Sequence, residues 1–229
     1  MENKKNKNPG IKKSEPISLF SSFIKRAFDI LWAGGSLIVL SPLITGCIVA
    51  VKLSSPGPVF YLQNRVGKNG KDFTMWKFRT MVQDAEKMGA GIKVEEDDPR
   101  ITKAGKFMRR YCLDELPQLF NVLGGSMSIV GPRPTLRYQV EKYDEEQKKR
   151  LLVKPGMTGL AQVMGRNALT WDERIRWDVK YVENYSFMGD MILIARTFGL
   201  LSRDEGIYGD PGKLAEVADT DQSGDDKHE

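Results

Sequence analysis

Residues 30–51 read ILWAGGSLIVLSPLITGCIVAV, 22 residues without a charge, with Ser41-Pro42 at the midpoint. A helix that spans a bilayer needs ~20 apolar residues, so length alone permits a span. Two features oppose a straight one. Pro42 lacks an N–H and its ring clashes with the preceding turn, so it bends or breaks a helix wherever it sits mid-run. Both flanks are also basic: residues 1–29 carry seven Lys/Arg, and residues 52–80 carry six against one acid. Basic flanks favour the cytoplasm, which keeps both ends on one face. As helix, half of the run reaches roughly 16 Å into a hydrocarbon core of ~30 Å. The reading is a re-entrant helix–break–helix, with the Ser41 hydroxyl as a partner for backbone groups freed at the break. A kinked span is the alternative. A buried helix of a soluble core fits poorly, because nothing else in the chain is apolar enough to wrap it.

The 229 residues allow one domain with tails, and 41% hydrophobic residues suffice for a core. The net charge is +5, yet residues 210–229 hold seven acids against two lysines, which leaves the first 209 residues at +10. Such a body suits anionic lipid headgroups and phosphorylated substrates. It argues against nucleic acid, since no helix joins a basic stripe to a reading face. Cys47 and Cys112 are the only cysteines, so there is no disulfide framework. The single histidine, His228, lies in the acidic tail. That excludes a histidine general base, a Ser-His-Asp triad and an ordinary zinc site. The chemistry must come from Asp, Glu, Lys, Arg, Tyr or Ser.

The pattern along the chain predicts an α+β, membrane-associated fold. It combines the re-entrant unit, a small antiparallel hairpin and several amphipathic helices at the membrane interface. Residues 1–16 are a basic tail expected to be disordered, 17–52 an interfacial helix feeding the re-entrant run, 53–208 the folded body and 209–229 an acidic tail. Two strand-like runs, 59–66 and 71–81, flank Asn69-Gly70, a strong hairpin signal. Alternation sets Lys77 and Arg79 on one face of the second strand, which is either a solvated face or a phosphate-facing one. Residues 83–98 are acidic and read as a mobile segment or lid. A basic helix is expected over 103–111, a helix from Asp114 closed by Gly124-Gly125, a polar surface helix over 141–150 and a turn at 155–159. Thr170 with Glu173 forms a capping box before a helix over 171–185. Its apolar face carries Asp178, either a buried partner of an Arg or Lys, or a site residue. Residues 188–201 are apolar except Asp190 and Arg196.

Asp114-Glu115 is the best catalytic candidate on these residues. A helix start favours ionised carboxylates, and an anionic carboxylate can act as a nucleophile or bind a hard cation such as Mg²⁺. The bland alternative is an N-cap followed by a favourable first-turn acid. The surrounding cations, Lys77, Arg79, Arg133 between two prolines, and Arg166 after Gln162 and Gly165, match what phosphoryl transfer requires.

Taken in order, KFRTM at 77–81, DPR at 98–100, DELPQ at 114–118, GPRP at 131–134 and PGMTG at 155–159, behind the Ser41-Pro42 break, resemble the bacterial sugar transferase family, the monotopic phosphoglycosyl transferases. The resemblance covers about residues 23–208 and is similar to the minimal single-domain form. It implies transfer of a phosphosugar from a nucleoside diphosphate sugar, usually a UDP-sugar, to polyprenol (undecaprenyl) phosphate at the cytoplasmic face of the inner membrane. It further implies a covalent intermediate on Asp114 with loss of UMP, Mg²⁺ held with help from Asp114, and Glu115 as acid/base or orienting partner. Lys77, Arg79, Arg133 and Arg166 would meet phosphates or uridine, with Gln162 and Asp178 as further substrate-binding candidates. A Mg²⁺-dependent hydrolase of the same donor and a non-catalytic membrane scaffold are the competing readings. The sugar, the oligomeric state and any downstream glycosyltransferase partner are open.

Overall fold

The computed structural model describes residues 19–88, 98–165 and 168–201. The apolar run belongs to two helices. Helix α1 (Leu19–Val39) and helix α2 (Ser41–Ser54) are separated only by Leu40, and their axes bend by 65° there. The break falls just ahead of the proline, because Pro42 sits in the first turn of α2, where its missing N–H costs nothing. In a continuous helix that N–H would have served the Ile38 carbonyl. The Ser41 hydroxyl donates to it instead, at 2.8 Å. No single described helix is long and apolar enough to cross a membrane, although the bent pair taken together meets that requirement of length and composition.

Among the described residues, the helix expected to feed the apolar run is continuous with it. Helix α1 runs through residue 30, and its charged side chains turn into the body. Lys25 pairs with Asp190 at 2.5 Å, and Arg26 donates to the Val122 and Leu123 carbonyls. Asp29, 2% exposed, accepts from the Ser128 hydroxyl at 3.0 Å and the Ile129 N–H at 2.9 Å. The opposite surface of the pair leaves Phe23, Leu31, Ile38, Val39 and Leu53 exposed.

After α2 the chain turns at Gly57, whose φ of +115° is closed to other residues and whose missing side chain makes room for the Arg79 guanidinium. Strands β1 (Phe60–Val66) and β2 (Asp72–Phe78) pair antiparallel, Phe60 opposite Phe78. Asn69 and Gly70 both take positive φ at the turn, as the dipeptide predicts. Helix α3 (Lys103–Arg110) is capped by Thr102, and helix α4 (Gln118–Gly124) ends on Gly125 in the left-handed region. Asn121 docks α4 on β2: its side-chain oxygen accepts from the Trp76 N–H at 2.9 Å, and its amide donates to the Thr74 carbonyl at 2.7 Å. One side chain thereby replaces a neighbouring strand.

Residues 155–159 form more than a turn, since β4 (Gly156–Thr158) pairs in parallel with β3 (Ser128–Val130). The helix expected over 141–150 is absent. Helix α5 (Arg137–Glu141) stops there, and a 3₁₀ segment, Gln147–Leu152, follows. The Glu/Lys pairs bridge at three-residue spacing, and Arg150 is drawn into the interior. Helices α6 (Leu160–Met164), α7 (Trp171–Glu183) and α8 (Phe187–Leu201) complete the chain. The Thr170/Glu173 capping box forms as expected. The main core joins Ala33, Met75, Val122, Ile129, Tyr181 and Leu193 from α1, β2, α4, β3, α7 and α8. Cys47 and Val51 seat α2 against Phe78 and Met108. The fold is α+β, with two small sheets among helices.

Asp29 ties α1 to β3 through two bonds made by an otherwise buried charge. Asp29→Ala should cost about 2–3 kcal/mol, lowering the thermal midpoint by roughly 4–12 °C. Asp29→Asn keeps an accepting oxygen and should recover part of the loss in the same melting experiment.

Candidate functional site

The chain reaches the acidic pair through an unusual backbone. Cys112 lies in the left-handed region, φ +53°, at a cost of order 1 kcal/mol for a residue with a side chain. It starts a single 3₁₀ turn, Leu113–Glu115, and α4 proper begins three residues later at Gln118. Asp114 is therefore not the cap of an α-helix. The charge environment of the pair comes from side chains instead of a helix terminus.

Glu115 is clamped. Lys77 Nζ donates to its Oε1 at 2.9 Å, and the two terminal nitrogens of Arg133 reach Oε1 at 2.5 Å and Oε2 at 3.3 Å. Burial alone would raise this carboxyl, but Arg133 and Lys77 more than reverse that and hold it well below the usual carboxylate range. Asp114, its neighbour, accepts no hydrogen bond from any described side chain. Burial chiefly, with some repulsion from Glu115, pushes it up to about 6 against the pull of Lys77, Arg109 and Arg133. It is thus largely ionised at neutral pH, unbonded and close to its titration point.

The pair opens on a cleft of about 1230 Å³. Its lining includes the cations Arg65, Lys77, Arg109, Arg133 and Arg174 and apolar side chains, among them Trp32, Leu40, Leu43 and Phe198. The bend between α1 and α2 thus forms part of the cleft that holds the carboxylates.

The sequence-derived candidates fall into different positions. Lys77 and Arg133 meet at Glu115. Arg79 borders the cleft, but its terminal nitrogens are engaged by the Pro56 and Ser55 carbonyls at 2.6 and 2.7 Å, where it closes the end of α2. Gln162, on α6, lines the cleft with both atoms of its amide buried and unpartnered among the described residues. Asp178, 1% exposed, is paired with Arg150 at 2.5 Å, so the buried-pair alternative describes its contacts. Burial raises its carboxyl to about 6, with Arg150 opposing. Arg150 in turn donates to the Arg133 carbonyl and to the Tyr143 hydroxyl, bracing the loop that presents Arg133. Arg166 lies outside the described residues, as do 89–97 of the expected lid and both tails.

Among the cleft cations that the sequence did not single out are Arg109, Arg65 and Arg174. Arg109, in the last turn of α3, donates to the Thr80 hydroxyl at 2.8 Å and acts electrostatically on Asp114. Its place five residues before Asp114 was the available signal. Arg65 shares one face of β1 with Gln63, which accepts from it at 2.6 Å. Arg174 donates to the Leu169 carbonyl at 3.1 Å, and nothing local in the sequence marks it.

No group of three or more potential metal-ligating side chains occurs among the described residues. With both oxygens of Glu115 occupied, Asp114 offers a single uncommitted carboxylate. Magnesium is commonly held by one or two carboxylates plus water and substrate phosphates, and this donor set fits that mode.

The chain belongs to the bacterial sugar transferases, whose family model matches residues 20–204. It is 43% identical over 182 residues to the UDP-N-acetylgalactosamine-undecaprenyl-phosphate N-acetylgalactosaminephosphotransferase of Aeromonas hydrophila, covering 77% of this chain and 43% of that protein. It is 43% identical over 184 residues to the uncharacterized sugar transferase EpsL of Bacillus subtilis, covering 80% and 90%. With the undecaprenyl-phosphate galactose phosphotransferase of Salmonella typhimurium it shares 41% identity over 202 residues, covering 82% and 42%. The chain thus spans less than half of the Aeromonas and Salmonella proteins and most of EpsL.

Carbodiimides label protonated carboxyls, so labelling of Asp114 should rise as pH falls through about 6. In Glu115→Gln the like charge is gone and Lys77 and Arg133 are released, so the midpoint should move to lower pH. Mass spectrometry of the labelled peptide reads both values, and an unmoved midpoint would separate the two carboxyls electrostatically.

Proposed function

We propose that this chain transfers a phosphosugar from a UDP-sugar to undecaprenyl phosphate through a covalent aspartyl intermediate, releasing UMP, at the cytoplasmic face of a bacterial inner membrane. The observation that carries the proposal is the contrast within one turn: Glu115 is locked between two cations while Asp114 beside it accepts no hydrogen bond from any described side chain. An ionised carboxylate needs no general base to become a nucleophile. The histidine-free chemistry of the sequence agrees with this.

In the first half-reaction an Asp114 oxygen attacks the β-phosphorus, and the bond from that phosphorus to the bridging oxygen breaks. The electron pair leaves on UMP, and the phosphosugar stays on Asp114 as an acyl phosphate. In the second half a phosphate oxygen of the lipid attacks the same phosphorus and expels the Asp114 carboxylate, giving a diphosphate-linked sugar. Arg109 and Arg133 stand where they can offset charge at the reacting phosphate, and Lys77 with Glu115 fixes the turn that aims Asp114. Asp114, with the donor's phosphates, would hold Mg²⁺. When bound, the ion supplies charge neutralisation on the diphosphate. The donor and acceptor named in the Aeromonas relative support this substrate pair, and so does the apolar lining that the α1–α2 bend lends to the cleft. A monotopic seat in one leaflet, with that bend as the inserted element, brings a lipid-borne phosphate to the site.

Incubating the protein with a UDP-sugar and undecaprenyl phosphate should give UMP and a lipid-linked sugar. Asp114→Asn should lose roughly 10³-fold or more of both products. UMP without sugar on the lipid would mark a hydrolase instead, and unchanged function in Asp114→Asn would mark a scaffold.

Pro42→Ala restores a backbone donor at the bend. In inside-out membrane vesicles the wild-type body should be open to added protease. Straightening should protect a fraction of the Pro42→Ala body, and equal exposure of both would refute the bend as the topological device.

A further inference from the structure

The cations around the cleft are not equally committed. Lys77 and Arg133 are spent on Glu115, Arg150 on Asp178, Arg100 on Asp98, and Arg79 on two carbonyls. Arg65 and Arg174, like Arg109 on the Thr80 hydroxyl, make no ion pair among the described residues. Arg65 donates to the Gln63 side chain and, at 3.4 Å, to the Pro134 carbonyl, and Arg174 donates to the Leu169 carbonyl. These acceptors are all neutral. The two arginines come from β1 and α7, line the same cleft and feel the same neighbour. Burial first and then the charge of Arg133 lower the proton affinity of each guanidinium. Glu115 pulls the other way at Arg65 and Asp178 at Arg174, but less than burial and Arg133, and each of these carboxylates is bonded to other partners. Cations kept together without an ion-pair partner of their own raise the local affinity for an anion.

Position narrows the anion. Lys77, Arg109 and Arg133 are the cations that act on Asp114, whereas Arg65 and Arg174 are grouped around Arg133. Contacts place both beside the loop that presents Arg133: Arg65 donates to the Pro134 carbonyl, and Arg174 shares α7 with Asp178, whose partner Arg150 donates to the Arg133 carbonyl. Displacement at phosphorus keeps attacking and leaving oxygens roughly in line. Asp114 therefore drives the α-phosphate out on the side away from itself. The second attack must expel Asp114, so it must arrive from the place that the α-phosphate has left. A double displacement on one carboxylate needs one phosphate subsite, used twice.

We infer that Arg65 and Arg174 form that subsite, holding the nucleotide α-phosphate in the first half-reaction and the phosphate of the lipid acceptor in the second. The inference rests on the covalent reading above. Both occupants are phosphate monoesters when free, as UMP and as polyprenol phosphate, so UMP should compete with the lipid for a single place.

Equilibrium dialysis of the full chain in detergent, with labelled UMP and with uridine, tests this apart from turnover. Arg65→Gln and Arg174→Gln should each weaken UMP binding about tenfold or more, leave uridine binding unchanged, and reduce competition between UMP and undecaprenyl phosphate. Arg65→Lys and Arg174→Lys keep the charge and should retain part of the UMP affinity, which decides the matter if a Gln variant melts early. Unchanged UMP affinity in the Gln variants, or parallel loss of UMP and uridine, overturns the subsite. If the subsite behaves as expected while the wild type never places sugar on lipid, the transferase reading fails and the phosphate site stands. If the wild type transfers sugar while UMP binding is unaltered in the variants, the transferase reading stands and the subsite falls.

Discussion

An ionised carboxylate between two cations organises this protein. Glu115 draws Lys77 from β2 and Arg133 from the proline-flanked loop onto the turn that also carries Asp114. These three pieces are far apart in sequence, and no backbone pairing joins them all. Glu115 is largely screened from solvent, so losing either partner leaves its charge poorly compensated. The bracing continues outward. Arg150 holds the Arg133 carbonyl and is itself fixed by Asp178. Asp178 thus supports the site through two intermediaries, and Asp114 stays unbonded because its neighbour absorbs the nearest donors.

Features written in local chemistry were readable in the sequence. The Asn69-Gly70 hairpin needs only positive φ at two adjacent residues, and the Thr170/Glu173 box only a three-residue spacing. Both form as expected. The bend was readable too, but its position was displaced, because a proline tolerated in a first turn breaks the helix before itself. The Ser41 hydroxyl then takes the role expected of it, on the Ile38 carbonyl. What escaped depended on distant partners. Nothing near Arg150 announces Asp178, and without that attraction 141–150 looks like a surface helix. Arg79 looks like a phosphate ligand until the carbonyls after α2 are seen around it. Asp114 resembled a helix cap because the left-handed turn at Cys112, made by a residue that is not glycine, leaves no mark in sequence. Arg65 and Arg174 join the cleft only once β1 and α7 are packed.

The first helix carries two kinds of surface. Lys25, Arg26 and Asp29 face the body and are consumed there, while the apolar residues of the bent pair remain outside. The same bend also supplies Trp32, Leu40 and Leu43 to the cleft. In the proposed setting, the depth of the reacting phosphate relative to the lipid is then set by a rigid helix contact, not by the length of a flexible linker. Asp29 and the Cys47–Val51 seat on Phe78 and Met108 keep that relation fixed.

The turn at Cys112 has a practical corollary. This partly buried residue, two positions before Asp114, bears a thiol outside any disulfide, and the other cysteine, Cys47, is 5% exposed. The chain therefore carries a thiol in the lining of the cleft that holds its own acidic pair. A small fluorophore or spin label placed there would report occupancy of the cleft in an unmutated protein. A bulkier thiol reagent would act as a plug.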